Sequence, residues 1–176
     1  MNRPEAHSEV AAFVPRFRGW HKGEHMKARE IMSKLLFCCT PDETAEKAAQ
    51  MMRDHDIGSI PIVNDYAERK LLGIVTDRDI CLRVIAAGHL ADTVKLADIM
   101  TKWPATCSPE DTVDACEEVM RRRQVRRVPV VDSRGICIGM ISQADIALHD
   151  NADHAWRMLT AISQHGQYVD KPAFNH

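Results

Sequence analysis

The chain has 176 residues, of which 45% are hydrophobic and 27% are charged. This length fits one compact globular domain or two small ones packed together, and this composition excludes general disorder. The net charge of −2 argues against a nucleic-acid-binding protein, and no apolar run approaches the roughly 18 residues of a membrane span. Residues 2–9 are polar and lack the apolar stretch of a secretory signal, which predicts a cytoplasmic protein.

Residues 1–28 precede any regular pattern and are predicted to be an amino-terminal extension, whether ordered or disordered. Met26 directly precedes the first patterned segment; if it is the true start, residues 1–25 are not functional sequence. We predict no metal site, because the extension gives only a weak signal for one. That signal consists of three histidines: His7, His21 and His25.

An internal repeat organises the rest of the chain. A shift of 68 residues gives ten identities over positions 31–64, which indicates a duplication. A later segment, GIVTDRDI at 73–80, matches GMISQADI at 139–146 with a shift of 66. The strongest matches of the first shift are IMSK at 31–34 with IMTK at 99–102, PDET at 41–44 with PEDT at 109–112, and IPIV at 60–63 with VPVV at 128–131.

Each copy is predicted to contain a strand, a helix, two further strands and a second helix. The first copy spans 29–90, the second spans 97–166 with a last amphipathic helix at 153–164, and 167–176 form a tail. The predicted strands lie at 37–39, 59–63, 71–76, 105–107, 127–131 and 136–142, and the predicted helices begin at Thr44, Asp77, Thr112 and Gln143, with the second one closing at Gly88. Residues 89–97 link the copies.

Each copy places a hydroxyl at the end of its last strand and a carboxylate three residues later, Thr76 with Asp79 and Ser142 with Asp145. One interpretation is a capping box, in which the two side chains bind free amides at a helix start. The other is a ligand site, in which the helix start binds a phosphate and the carboxylate accepts hydrogen bonds from a ribose. The residues alone favour the capping box and leave both interpretations open.

The sequence around these pairs, 57–64 with 73–80 and 125–132 with 139–146, resembles CBS domains. The chain from 29 to 166 therefore resembles a tandem CBS pair, or Bateman module, of the stand-alone bacterial type. The resemblance implies an α/β (α+β) fold of two β-α-β-β-α repeats packed as a pseudo-twofold module. It also implies two clefts between the repeats, which in this family bind adenosine-containing ligands such as AMP, ADP, ATP or S-adenosylmethionine.

The resemblance also implies roles for individual residues. Asp79 and Asp145 would bind ribose, with Thr76 and Ser142 as their hydroxyl partners. Backbone groups and strand ends would line the adenine pockets, at Gly58, Ile60, Pro61, Val128, Pro129, Cys39 and Cys107. Three arginines align with phosphate-binding positions: Arg78, Arg126 and Arg127. The first copy has Gly58 and Ser59 where the second has two of these arginines, so the two sites are expected to differ.

The basic run at 121–127 has three interpretations: a solvated helix face, phosphate binding in the cleft, or nucleic-acid binding. Nucleic-acid binding is disfavoured, because it needs stacking aromatic residues and only Trp103 is close in sequence. Arginine suits phosphate through its bidentate hydrogen bonds.

None of the six cysteines has the C-x-x-C spacing of a zinc or thioredoxin site, and adjacent Cys38 and Cys39 would point to opposite faces of a strand. They are therefore interpreted as buried small hydrophobic residues. The sequence holds no catalytic motif, so we predict that the chain is not an enzyme and needs no cofactor.

The leading hypothesis is a regulatory protein that binds an adenine nucleotide or another adenosyl ligand between its repeats. It is predicted to form a homodimer through its one-sided helices and to act on an unidentified partner chain or on its own oligomer. Two alternatives are an interaction module with degenerate sites and a redox sensor based on Cys38, Cys39 or Cys107.

Overall fold

The structure is a computed structural model that describes residues 26–34, 37–149 and 160. Its mixed α/β content and twofold repetition confirm the predicted fold class. In chain order the elements are α1 (Ala28–Ile31), α2 (Ala45–His55), β1 (Ser59–Val63), β2 (Leu71–Thr76), α3 (Asp77–Ile80, continued as a π-helical turn over Cys81–Ile85), α4 (Leu96–Ile99), β3 (Thr101–Lys102), α5 (Val113–Arg123), β4 (Arg127–Val131), β5 (Cys137–Ser142) and α6 (Gln143–His149).

The two further strands predicted in each copy form an antiparallel hairpin, with the same register in both repeats. Strands β1 and β2 pair antiparallel with Ser59 opposite Thr76, and β4 and β5 pair with Arg127 opposite Ser142. Each hairpin has an irregularity near the end of its first strand. Such an identical ladder places the last residues of β2 and β5, which carry the hydroxyls, at equivalent points of the two repeats.

Helices α2 and α5 begin where their sequences predict. The hydroxyl of Thr44 accepts a hydrogen bond from the Lys47 amide at 3.3 Å, and Thr112 caps α5 in the same way. Both helices end in a left-handed residue. The buried face of each helix repeats with helical spacing and comprises Ala45, Ala48 and Met52 in α2 and Val113, Cys116 and Met120 in α5.

The predicted first strand of each repeat is shorter in the structure, where it is reduced to a single paired residue. Cys39 bridges in parallel to Ile62, and Cys107 bridges in parallel to Val130. A proline follows each cysteine at the second position, and proline has no N–H with which to continue the ladder. The parallel pairing therefore stops after one residue in both repeats.

Each hydrophobic core is completed by a short helix from the segment that precedes the other repeat. Ala28 and Ile31 of α1 are buried with residues of α5, β4 and β5. Leu96 and Ile99 of α4 are buried with residues of α2, β1 and β2. The two repeats are thus interlocked, and the linker predicted at 89–97 runs directly into an element of the first core.

Two glycines allow the chain segments that follow α1 and α4 to approach the hairpins. Ser33 pairs with Met140 of β5, and β3 pairs with β2 through Gly73 and its neighbour. A Cβ atom on Gly139 would lie 2.8 Å from the sulfur of Met32 and 2.8 Å from a backbone oxygen. A Cβ atom on Gly73 would lie 2.7 Å from the sulfur of Met100 and 2.9 Å from a backbone oxygen. Only glycine fits these approaches without movement of the chain.

The two hairpins also meet directly. Lys70 at the start of the second strand of one hairpin bridges to Ile136 of the other. A small buried cluster of Cys38, Val63 and Cys137 draws on both repeats. This junction, together with the crossing helices, packs the repeats as one module.

One predicted helix ends earlier than expected, and another lies outside the described residues. The helix predicted at 77–88 has its last helical residue at Ile85, and Gly88 follows in a turn with φ of 75°. The helix predicted at 153–164 and the histidines of the extension lie outside the described residues, apart from Thr160. None of the helices in the described part of the chain is long and apolar enough to cross a membrane.

Candidate ligand cleft between the repeats

The hydroxyl–carboxylate pair of the first repeat forms a complete capping box at the start of α3. The Asp79 Oδ2 atom accepts hydrogen bonds from the Thr76 hydroxyl at 2.7 Å and from the Thr76 amide at 3.0 Å. The Asp79 amide in turn donates to the Thr76 hydroxyl oxygen at 3.1 Å. The capping interpretation is therefore confirmed for one carboxylate oxygen, while the second, Oδ1, takes no part in the box.

The second repeat builds the same box at the start of α6. Asp145 Oδ2 accepts from the Ser142 hydroxyl and amide, both at 2.7 Å. Beside it, Gln143 Oε1 is buried and has no hydrogen-bond partner among the described residues. A buried acceptor without a hydrogen-bond partner is costly, so Gln143 Oε1 is an unsatisfied polar atom at the start of α6.

The first repeat adds an arginine that the second repeat lacks. Arg83 Nε lies 3.6 Å from Asp79 Oδ1, and Arg83 Nη1 donates to the carbonyl oxygen of Ile99 at 2.6 Å. The equivalent residue of the second repeat is His149, whose ring nitrogen lies 2.8 Å from the backbone oxygen of Asp145. Arg83 thus joins the first carboxylate to the end of α4, and the two carboxylates have different electrostatic surroundings.

The arginines predicted to bind phosphate occupy different places. Arg127 reaches the other repeat, where its guanidinium Nη1 would lie 3.0 Å from a Cβ atom on Gly58. The carboxylate Oδ2 of Asp77 lies at the same distance from that point. Arg78 and Arg126 are exposed, and the carbonyl of Arg126 accepts the amide of α6's first residue at 2.9 Å. Of the three, Arg127 is the one whose charge the structure places at the junction of the repeats.

The residues predicted to line the adenine pockets have buried side chains. Cys39 and Ile60 belong to the core of the first repeat, and Cys107 and Val128 belong to that of the second. Pro61 and Pro129 are also buried. These positions can therefore offer a ligand their backbone groups, whereas Gly58 keeps its backbone half-exposed next to Arg127.

The remaining arginines of the basic run point to solvent. Arg121 and Arg122 on α5 both form ion pairs with Glu118 on the same exposed helix face. These contacts hold the pKa of Glu118 below its usual value, with the hydrogen bond from Arg121 as the main cause. Ion pairs this exposed add little to stability, so this part of the run fits a solvated helix face.

Five of the six cysteines have the surroundings of core residues, as predicted, but the prediction of burial is wrong for Cys81, which is exposed on the helical turn that continues α3. Burial raises the pKa of Cys39 to about 12, with the nearby Glu43 adding to the effect, and burial raises the pKa of Cys137 to about 11. A hydrogen bond from Cys116 lowers the pKa of Cys107 against the effect of burial, but Cys107 is only 1% exposed. Thiols that stay protonated or cannot be reached react slowly with oxidants, which does not favour the redox hypothesis.

A polar network that the sequence analysis missed covers the start of the first repeat. Glu43 Oε2 accepts hydrogen bonds from the Thr40 amide at 2.7 Å and from the Tyr66 hydroxyl at 2.6 Å, while Oε1 binds Lys47. Burial opposes ionisation, but these hydrogen bonds lower the pKa of Glu43 to about 2. The network ties the hairpin loop to the start of α2 over Cys39, and a pairing of such distant residues leaves no pattern in the sequence.

Across residues 26–34, 37–149 and 160, no three side chains of His, Cys, Asp or Glu come together as ligands for a metal ion. The charged side chains described above are the capped carboxylates of Asp79 and Asp145, the carboxylate of Asp77 at a helix start, and the guanidinium groups of Arg83 and Arg127. Such groups bind hydroxyls and small ionic groups through hydrogen bonds and charge.

A model of the CBS domain matches residues 28–86 and 96–151. The chain belongs to the CBS-domain family. Its two matched segments form a CBS pair, so the resemblance inferred from the paired motifs is confirmed. The antiparallel hairpins and capped helices described above are the two CBS repeats of this pair.

The CBS pair is similar to proteins of known structure. Hypoxic response protein 1 of Mycobacterium tuberculosis is 37% identical over 122 residues, which are 69% of this chain and 83% of that protein. A crystal structure of hypoxic response protein I with two coordinated zinc ions has a TM-score of 0.65 and 36% identity, and the match covers 72% of this chain and 100% of that chain. The CBS pair of protein MJ0100, solved with 5′-methylthioadenosine and S-adenosyl-L-methionine, has a TM-score of 0.62 and 27% identity, with 70% and 94% covered.

Proposed function

We propose that this CBS pair is a non-enzymatic regulatory module that binds an adenosyl ligand, such as AMP, ADP, ATP or S-adenosylmethionine, in the cleft between its repeats. The ligand acts by binding one packing arrangement of the repeats more tightly than another. A partner chain or a second copy of this chain then binds to that arrangement.

The observation that carries the proposal is the geometry of the two capped carboxylates. Asp79 and Asp145 each commit Oδ2 to the local cap and keep Oδ1 out of it. A ribose offers two adjacent hydroxyl donors, and carboxylates at helix starts accept such donors in dinucleotide-binding folds. The adenosyl ligands bound by a related CBS pair support the same class of ligand.

Thermal unfolding in the presence of AMP, ADP, ATP, NAD or S-adenosylmethionine tests the proposal. A ligand at 100 times its dissociation constant stabilises the folded state by about 2.7 kcal/mol. For a chain of this length each kcal/mol raises Tm by roughly 2–4 °C. We expect at least one compound to raise Tm by several degrees, and no shift with any of them at millimolar concentration would refute the proposal.

Arg127→Ala is expected to weaken ATP and ADP binding about tenfold while leaving adenosine binding within about twofold. The reason is that adenosine keeps the ribose contact but has no phosphate for the guanidinium that lies beside Gly58. Isothermal calorimetry with adenosine, ADP and ATP measures the effect. Raising the salt concentration should reduce it, because exposed charges are screened over about 8–10 Å.

The matched control for this variant is Arg123→Ala, which removes the same charge from the exposed end of α5. It should leave the preference for ATP over adenosine unchanged. Equal losses for adenosine and ATP in Arg127→Ala would show that this arginine shapes the module rather than binding phosphate. The same comparison of ATP and adenosine affinities in Arg126→Ala and Arg78→Ala tests whether these two arginines bind phosphate.

The exposed faces of two helices favour a second function, an interaction surface that joins two copies of the chain. Leu82 and Ile85 follow α3 and are 52% and 61% exposed, and Leu148 on α6 is 64% exposed. Large apolar side chains at equivalent places of two pseudo-symmetric repeats suit a twofold dimer, in which each surface meets its copy.

We predict that the protein is a homodimer and that Ile85→Glu makes it monomeric, because the carboxylate would be buried without a partner at the interface. Light scattering over a range of concentrations should give twice the 19.9 kDa mass of the chain for the wild type and the mass of one chain for the variant. Leu90→Glu, at an exposed leucine in the linker, should remain dimeric. A wild-type mass of one chain at every concentration would contradict this prediction.

A further inference from the structure

Arg83 connects the carboxylate of the first repeat to the helix that follows the linker. Its Nε atom forms an ion pair with Asp79 Oδ1 at 3.6 Å, and this is the carboxylate oxygen that lies outside the capping box. Its Nη1 atom donates a hydrogen bond of 2.6 Å to the carbonyl oxygen of Ile99, the last residue of α4. One guanidinium thus binds acceptors on two separate elements, as the planar fork of arginine allows.

Both contacts of Arg83 are partly shielded from water. The side chain of Asp79 is 17% exposed and that of Arg83 is 36% exposed. Ile99 is buried in the core of the first repeat. The last carbonyl groups of a helix have no partner within that helix, so Arg83 supplies a donor that the end of α4 needs.

The second repeat connects its carboxylate differently. The residue equivalent to Arg83 is His149, whose ring nitrogen lies 2.8 Å from the backbone oxygen of Asp145 rather than from its carboxylate. The segment equivalent to α4 is α1, which packs into the core of the second repeat. The link from carboxylate to arginine to the end of a short helix therefore distinguishes the first of two pseudo-equivalent sites.

We propose that Arg83 is an internal competitor at the first site: an adenosyl ligand must displace it from Asp79 Oδ1, and this displacement loosens the end of α4. The inference rests on the proposed binding of such a ligand. Ribose hydroxyls and Arg83 need the same carboxylate oxygen, so the ion pair lowers the affinity of the first site. Without Asp79, the hydrogen bond to Ile99 alone has to offset the entropy lost in ordering the arginine side chain, so that bond weakens.

A looser α4 affects the packing of the repeats because this helix lies where the chain passes from one repeat to the other. Leu96 and Ile99 are buried in the first core, and the chain then enters β3, where Lys102 pairs with Gly73 of β2. The ligand favours the packing arrangement in which Arg83 is released, by the difference between its affinities for the two arrangements.

Adenosine binding to Arg83→Gln tests the competition, because an uncharged nucleoside has no phosphate for the arginine to bind. Calorimetry is done in chains that also carry Asp145→Asn, so that Asp79 is the carboxylate that remains. We expect Arg83→Gln to raise adenosine affinity about two- to fivefold, the size expected for removal of a partly exposed ion pair.

Arg134→Gln is the matched control, because it removes an Arg–Asp ion pair from the exposed loop of the second hairpin. It should leave adenosine affinity unchanged. Lower or unchanged affinity in Arg83→Gln would overturn the proposal. Wild-type binding that is lost in Asp145→Asn and not restored by Arg83→Gln would overturn it too.

Hydrogen exchange tests the effect on α4. The Met100 amide donates to the Leu96 carbonyl at 2.8 Å and closes α4, and the Met32 amide closes α1 in the same way at 2.9 Å. We expect the Met100 amide to exchange about two- to fivefold faster in Arg83→Gln, and equally so when adenosine saturates the Asp145→Asn chain. The Met32 amide is the internal control and should not change. Unchanged or slower exchange of Met100 with adenosine would contradict the release of α4.

Chemical unfolding separates the ion pair from ligand binding. The losses of stability in Asp79→Asn and Arg83→Gln should be non-additive in the double variant, and additive losses would overturn the pairing. If calorimetry detects no nucleoside or nucleotide in the wild type, the proposed function and the competition both fail. Binding by the wild type with unchanged affinity in Arg83→Gln removes the competition alone.

Discussion

Replacing Asp79 and Asp145 together by Asn is expected to lower the affinity for an adenosyl ligand roughly ten- to hundredfold, because each charge-assisted hydrogen bond contributes about 1.5–3 kcal/mol. In the structure both carboxylates stand in the first turns of equivalent helices, and each has an oxygen outside its capping box. Calorimetric titration of the double variant with the ligand found in the thermal panel measures the loss. Unchanged affinity would remove both residues from the site.

The choice of Asn separates ligand binding from folding. An amide oxygen can still accept the hydrogen bonds that Thr76 and Ser142 donate to the carboxylates. Replacement by Ala removes that acceptor as well and is expected to cost about 1 kcal/mol of stability at each helix start. The Asn variants should therefore unfold near the wild-type temperature without ligand, whereas the Ala variants should unfold earlier.

The single variants are expected to be unequal. Asp79 already faces Arg83, whose Nε lies 3.6 Å from its Oδ1, so a ribose at that carboxylate competes with an ion pair. The equivalent His149 bonds to a backbone oxygen instead of the carboxylate of Asp145. We therefore expect Asp145→Asn to cause the larger loss, and equal losses would show that Arg83 does not influence binding.

The local structure of this CBS pair follows from the sequence because its causes are local. Thr44 and Thr112 cap helices whose apolar residues recur with helical spacing, and the β-branched runs form the two hairpins. The hydroxyl–carboxylate pairs are predictable for the same reason, since all their hydrogen bonds join residues that are three positions apart.

The interlocking of the repeats could not be predicted in this way. Residues 28–31 and 96–99 are short helices of four residues each, below the length at which periodicity identifies a helix. The apolar residues of 28–31 pack against the second repeat, and those of 96–99 pack against the first. A sequence comparison aligns the copies with each other but contains no information about which copy receives each segment.

The arrangement of charged side chains in the cleft could also be predicted only in part from the sequence. The alignment identified Arg127 as a difference between the copies, but its position over Gly58 depends on how the repeats pack. Arg83 was within reach of sequence analysis, because it stands one helical turn after Asp79. The Tyr66–Glu43 hydrogen bond was not, because the two residues are 23 positions apart.

The interlocked architecture makes Gly139 and Gly73 sensitive positions. Gly139→Ala is expected to destabilise the fold by about 2–3 kcal/mol, toward the upper part of the range for overpacking, which lowers Tm by roughly 5–10 °C. The new Cβ would lie 2.8 Å from a backbone oxygen and could be accepted only if the segment carrying Ser33 moved away from β5. Gly73→Ala should act equally on the segment that carries β3, with a Cβ 2.9 Å from its backbone. Thermal and chemical unfolding measure both losses.

Gly88→Asn is the control for the loss of a glycine, because its surroundings are open and asparagine tolerates the positive φ of 75°. It should cost well under about 1 kcal/mol. Amide exchange then locates the damage: Gly139→Ala should release the amides of Ser33 and Met140, which bond to opposite carbonyls at 2.9 and 3.1 Å, and should leave the β1–β2 hairpin protected. Wild-type stability and exchange in Gly139→Ala would mean that α1 is not held against the second repeat, and the interlocked packing would have to be abandoned.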